Sequence, residues 1–163
     1  MATSSAIHLA DLALEWDDRA AAADLVMIDG DLASDGGLHT AVLLSLFLDR
    51  RAEPDDRPPS DDPNDRRGWW ADQFADVDGD RIGSRLWLLD RAKRTAETAR
   101  RAEEYVREAL AWMLEDRVVA RIDVTVETTD KNLMITVGLQ RPERDPVTFQ
   151  FAHVWDNLQL DGQ

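Results

Sequence analysis

Arg121-Ile122-Asp123-Val124-Thr125-Val126-Glu127 alternates apolar and polar side chains, and Leu133-Met134-Ile135-Thr136-Val137-Gly138-Leu139 repeats that alternation after Thr129-Asp130-Lys131-Asn132. A period of two places one set of side chains on one face of a pleated strand, and the intervening residues are turn formers. Val147, Phe149 and Phe151 carry the pattern on beyond Arg141 to Pro146. The reading is a three-stranded antiparallel meander with one apolar face, which needs a cover.

The cover lies upstream. From Ser84 to Glu115 there is neither proline nor glycine. Ala96, Ala99, Ala102, Val106, Leu110 and Met113 recur every three or four residues and form one stripe. Glu97, Arg100, Arg101, Glu103, Glu104, Arg107 and Glu108 occupy the wet side, where opposite charges three or four residues apart stabilise a helix by a few tenths of a kcal/mol, roughly, per pair. Ser84 is placed to cap a helix start; Thr95 either caps a second helix or lies within one long one. A long helix packed on the meander makes the fold class α+β.

Further upstream, Leu25-Val26-Met27-Ile28 reads as a buried strand closed by the turn Asp29-Gly30-Asp31. After the break at Asp35-Gly36-Gly37, residues Leu38, Val42, Leu43, Leu46 and Phe47 recur at helical spacing. The N-terminal piece is thus strand, turn, helix. Residues 53–66 then bring a proline- and aspartate-rich stretch without large apolar side chains, which reads as an exposed loop. The expectation is one α+β domain over residues 1–163.

Charge narrows the function. Net charge is −14, and residues 1–80 hold 19 acids against 6 bases, whereas residues 81–163 hold 14 against 13. An acidic half repels phosphate backbones, so nucleic acid is a poor partner. No apolar stretch is long enough to span a bilayer. The first residues lack the basic start and unbroken apolar core of a signal peptide, which makes a cytoplasm the expected place of assembly. With no cysteine, disulfides, thiol nucleophiles and thiolate zinc sites are excluded. His8, His39 and His153 match no metal spacing, and no cofactor motif is present.

Three constellations are candidates for chemistry. Asp76, Asp78 and Asp80 fill the first three positions of a calcium loop. Position 6 is Arg81 where glycine belongs, and position 12 is Trp87 where a bidentate glutamate belongs. An acidic turn is the better reading. Glu115 and Asp116, at the end of the apolar helix, are the acids best placed for partial burial, but a polar helix end accounts for them. No serine lies in a nucleophile elbow and no glycine loop fits a phosphate. No catalytic residue is assigned.

Six tryptophans stand against one tyrosine. Trp87, among Leu86, Leu88 and Leu89, and Trp112, beside the helix stripe, read as core. Trp69 and Trp70 are adjacent, so both cannot face one core; they read either as an interface, where tryptophan is enriched, or as a loop folded over to plug the core's edge.

Arg67-Gly68-Trp69-Trp70-Ala71-Asp72, the run from Gly83-Ser84-Arg85-Leu86-Trp87-Leu88-Leu89 to Lys93, and Ala102-Glu103-Glu104-Tyr105 with Glu108 to Asp116 resemble the baseplate wedge family of Mu-like contractile-tailed phages. Asp29-Gly30-Asp31-Leu32 and the strand pair Ile122 to Val126 and Leu133 to Val137 extend the likeness over about residues 24–140. The resemblance implies a virion structural subunit related to the small sheath-initiating wedge proteins of other tails. It implies several copies around the tail tube, wedge and tail proteins as partners, and no active site. Trp69, Trp70 and Arg85 are the candidate contacts, by chemical type and position. The alternatives are an acidic cytoplasmic adaptor and, because some relatives have been described as lysozyme-like, a cell-wall hydrolase.

Overall fold

In a computed structural model of the chain, the structure describes six short strands between residues 11 and 35, and residues 38–60, 62, 64–75, 79–93, 95–129, 132–142 and 145–154. The chain divides into two compact units, residues 1–43 and 44–163. In the first, the strands are β1 (Asp11–Leu12), β2 (Leu14–Asp17), β3 (Ala22–Leu25), β4 (Met27–Ile28), β5 (Asp31–Leu32) and β6 (Ser34–Asp35). They pair antiparallel as β1 with β6, β2 with β3 and β4 with β5. The expected strand over Leu25–Ile28 is therefore divided. Leu25 closes β3, Met27–Ile28 opens a hairpin, and Val26 lies outside the described residues. Met27 is 57% exposed, so this run is not buried throughout. The helix expected next is α1 (His39–Phe47), which buries Val42 and Leu46.

The second unit holds the meander: β7 (Arg121–Thr128), β8 (Asn132–Gln140) and β9 (Val147–Val154), in the order β7-β8-β9. Val124 pairs with Val137, and Ile135 with Phe151. The alternation read from the sequence is clearest in the central strand, where Leu133, Ile135, Val137 and Leu139 are each at most 1% exposed. Each such side chain contributes about 1.5–3 kcal/mol by leaving water.

The helix α2 (Ala96–Glu115) lies against β7 and buries Thr98, Ala102, Tyr105, Val106, Ala109, Leu110 and Met113. From Ala102 onward the stripe is the expected one; in the first turn it runs through Thr98 while Ala96 is exposed. The Thr95 Oγ1 accepts the Thr98 N–H at 3.2 Å and caps the helix. At the other end Arg117 takes φ 59°, and the N–H groups of Arg117 and Val119 donate to Leu114 O and Met113 O. Glycine usually occupies such a left-handed position.

Ser84 to Glu115 is not one helix. Leu86–Leu89 forms a 3₁₀ turn whose four side chains are all buried, and α2 starts afresh at Thr95. The reason lies at Gly83 and Ser84. Gly83 has φ 93°, and a Cβ there would collide with the carbonyl of Leu48. This close approach lets Ser84 N donate to Leu48 O and Arg50 N donate to Ser84 O, both at 2.9 Å. The Ser84 hydroxyl donates to Leu46 O and accepts the Leu86 N–H. Ser84 thus begins the 3₁₀ turn while tying it to the segment after α1. Trp87 follows into the core, its Nε1 donating to Arg50 O at 2.9 Å.

Arg85 points the other way along the same tie. Its Nη2 donates to Glu108 Oε2 at 2.8 Å and its Nη1 to Asp56 Oδ2 at 3.0 Å, with the guanidinium 4.7 Å over the Tyr105 ring. Burial disfavours its charged form, but the hydrogen bonds to Glu108 and Asp56 outweigh that and raise its pKa. Asp56 belongs to the proline-rich stretch, whose described residues form no helix or strand and are fastened at several points. Arg66 Nη1 donates to Glu53 O at 2.7 Å and to Asp56 O at 3.2 Å, and its Nη2 to Pro54 O at 3.3 Å.

Two helix-end changes have opposite expected signs. Thr95→Ala removes the cap and lowers unfolding stability by about 1 kcal/mol. Arg117→Gly relieves the left-handed backbone and raises it by up to about 1 kcal/mol. Denaturant melts of the two variants check both. A third change tests the loop: Arg85→Gln is expected to cost about 1–3 kcal/mol, discounted for partial exposure, and to speed amide exchange over residues 53–66 while leaving β8 protected.

Candidate functional site

Arg67 and Gly68 both take positive φ, 45° and 105°. At Gly68 the backbone passes so near Arg51 that an added Cβ would stand 2.8 Å from the Arg51 Cβ. Arg67 leans back over the Trp87 ring at 4.5 Å and pairs with Asp49 at 2.9 Å. The chain is thereby pinned immediately before Trp69. From Trp70 to Phe74 it winds into a 3₁₀ turn that buries none of its residues. The Asp72 N–H donates to Trp69 O, and Asp72 Oδ1 accepts the Ile82 N–H at 3.3 Å.

The result is an aromatic ledge on the surface. Trp69 is 44% exposed, Trp70 68% and Phe74 75%. The Trp69 and Trp70 ring centres are 6.0 Å apart, and those of Trp70 and Phe74 6.2 Å in an edge-on arrangement. Apolar side chains left in water beside one another mark a contact surface more often than isolated ones do. A concavity of about 410 Å³ opens beside the rings, walled by Arg51, Arg67, Gly68, Trp69, Trp70 and Arg81 among others.

Of the three residues singled out as contacts, Trp69 and Trp70 stand together on the ledge. Arg85 stands apart from them: its side chain is 20% exposed and engaged by Asp56 and Glu108. Asp76 and Asp78 lie outside the described residues, and Asp80 is exposed. Among the described residues, no three carboxylate or imidazole groups cluster as a metal site would require. Glu115 and Asp116 are both exposed, so neither has the partial burial expected at the end of the apolar helix. Trp87 is core at 4% exposure, as expected, but Trp112 is 38% exposed, with its Nε1 donating to Ser45 Oγ at 3.1 Å. The ring sits on the edge of the apolar stripe, where its polar corner finds a partner. Sequence reading missed Phe74 and Arg51. A Trp-x-x-x-Phe spacing on one short helical turn was the available signal for Phe74; nothing local flagged Arg51, which reaches the ledge only through the close pass at Gly68.

No helix among the described residues is long and apolar enough to cross a membrane. Comparison with known proteins agrees with the resemblance carried by these motifs. Residues 38–146 match the family described as phage protein GP46. The chain is 38% identical over 151 residues to the baseplate protein gp46 of Escherichia phage Mu, covering 92% of this chain and 100% of that protein. It is 33% identical over 127 residues to the Mu-like prophage FluMu protein gp46 of Haemophilus influenzae, covering 78% of this chain and 83% of that one. The matched span contains α1, the Gly83-Ser84 tie, the tryptophan ledge, α2 and strands β7 and β8, and on these grounds the chain belongs to the GP46 family of phage proteins.

Proposed function

We propose that this protein is a structural subunit of a phage tail baseplate, joining wedge components near the tube and sheath. The observation that carries this reading is the likeness to the Mu baseplate protein along that protein's whole length. In this reading the chain is not an enzyme. It acts in several copies, is assembled in the bacterial cytoplasm and ends in the virion tail, and its partners are other baseplate wedge and tail proteins. The second unit is the scaffold, and the ledge is fixed on it through Arg67 on Trp87 and Asp49, the close pass of Gly68 at Arg51, and Asp72 on the Ile82 N–H.

The ledge has the composition of a docking site. Tryptophan and arginine dominate interface hot spots because they bring much contact area with little disorder to lose. Roughly 100 Å² of apolar surface covered per ring is worth about 2.5 kcal/mol. Two rings together suffice to hold a subunit in place once avidity from neighbouring copies is added. The sheet supplies a second docking mode, since β9 pairs with no further strand among the described residues and an edge strand accepts an added one.

Co-expression of the tagged chain with the tail proteins encoded beside it tests the proposal. A stable complex with a larger wedge protein is expected. Trp69→Ala with Trp70→Ala is expected to weaken that complex by at least thirtyfold, about 2 kcal/mol, with the thermal melt unchanged. An unchanged complex would remove the ledge from the interface, and cell-wall hydrolysis by the purified chain would overturn the structural role.

A further inference from the structure

The walls of the concavity beside the ledge have a chemical sign. Arg51, Arg67 and Arg81 line it against one carboxylate, Asp72, in a chain whose net charge is −14. A second groove of about 350 Å³ shares Arg51 and Arg81 and adds Arg66 against one carboxylate, Glu53. Most of these guanidinium groups are engaged. Arg67 holds Asp49 at 2.9 Å, Arg81 holds Glu53 at 3.0 Å, and Arg66 is taken up by backbone carbonyls. Asp72 has one oxygen on the Ile82 N–H and its other oxygen buried.

Arg51 is different. Its single hydrogen bond is a long one, Nη1 to Arg67 O at 3.5 Å, and among the described residues no carboxylate lies within ion-pairing reach of it. It is exposed and lines both concavities, next to the two tryptophans. A guanidinium carries donors in a planar fork that matches a carboxylate's two oxygens, and it binds that group more strongly than a neutral acceptor.

We propose that this concavity is the seat for an acidic side chain, aspartate or glutamate, carried on a segment of the partner protein that docks on the tryptophan ledge. The carboxylate takes the Arg51 guanidinium, whose one hydrogen bond is the long one to Arg67 O, and the apolar neighbours of that acidic residue cover Trp69 and Trp70. The proposal rests on the reading of the ledge as an interface and adds the partner's chemistry. It also accounts for an otherwise odd placement: in a half-chain with 19 acids and 6 bases, three of the bases, Arg51, Arg66 and Arg67, line these two adjoining concavities. A second copy of this chain is disfavoured as the occupant, because two bodies of charge −14 repel on approach.

Two measurements separate this inference from the ledge itself. In the first, a glutamate-rich peptide containing one leucine is titrated into the full chain and followed by tryptophan fluorescence, with the glutamine and lysine versions as controls. Binding of the glutamate peptide alone, weakened tenfold or more by Arg51→Gln and by added salt, is the expected result. In the second, capture of the co-expressed wedge protein is compared for Arg51→Gln, Arg51→Lys and Trp70→Ala. Loss with Arg51→Gln and with Trp70→Ala, and partial recovery with Arg51→Lys, supports the acidic seat. Loss with Trp70→Ala but full capture with Arg51→Gln overturns the seat and leaves the ledge standing. Full capture by both overturns the ledge and the seat together, as does preference for the lysine peptide for the seat alone.

Discussion

The close pass of Gly83 against Leu48 is the contact on which the second unit's surface depends. A side chain at position 83 would overlap the Leu48 carbonyl, and the φ of 93° is one that glycine adopts without steric cost. Because the two backbones meet there, Ser84 reaches Leu48 and Leu46, and the Arg50 N–H reaches Ser84. The four buried side chains of Leu86–Leu89 then enter the core from a defined direction, and Trp87 closes over Arg50. Arg85, one residue earlier, is thereby aimed at Glu108 and Asp56. One backbone contact thus fixes a hydrophobic cluster and a charged one at once.

That arrangement divides labour among the tryptophans. Trp87 is held by its indole N–H and by the Arg67 guanidinium stacked on its face, so it belongs to the interior. The same Arg67 sits at a positive φ beside Gly68, and the chain that follows is directed outward as the 3₁₀ turn of Trp70–Phe74. The buried ring and the exposed rings are thus joined through a single residue. A stacked cation over a partly desolvated indole is worth roughly 0.5–2 kcal/mol, enough to bias where the ledge rests but small beside the burial of the core.

The meander and its covering helix were legible because each obeys a single period over a long run: two residues across β7, β8 and β9, and three to four from Ala102 to Met113. The break between Leu89 and Thr95 was not decidable from local pattern. Leu86-Trp87-Leu88-Leu89 is apolar on every side, so it has no stripe to follow, and what sets the start of the turn is a long-range tie from Ser84 to residues 46–50. The same reason hid the role of Arg85: its partners Asp56 and Glu108 lie 29 and 23 residues away. Trp112 was misplaced because an indole beside an apolar stripe reads as core, whereas only its N–H reaches inward, to the buried Ser45 hydroxyl, and the ring stays 38% exposed. At the ledge, composition identified Trp69 and Trp70, but the concavity beside them is made by a chain crossing at Arg51 that no spacing rule anticipates.

The manner in which Arg66 holds the proline-rich loop bears on how such a segment drifts over generations. Its three acceptors are the carbonyl oxygens of Glu53, Pro54 and Asp56, and a carbonyl is present whatever side chain a position carries. Asp56 adds side-chain contacts to Arg85 and to the Glu53 N–H, and Glu53 adds one to Arg81. Substitutions at Asp55 or at residues 57–60 therefore leave the fastening untouched, provided the number of residues between 56 and 66 lets the chain return. The loop's course is held by backbone carbonyls, by Asp56 and by its length, while the side chains at Asp55 and residues 57–60 are free to change.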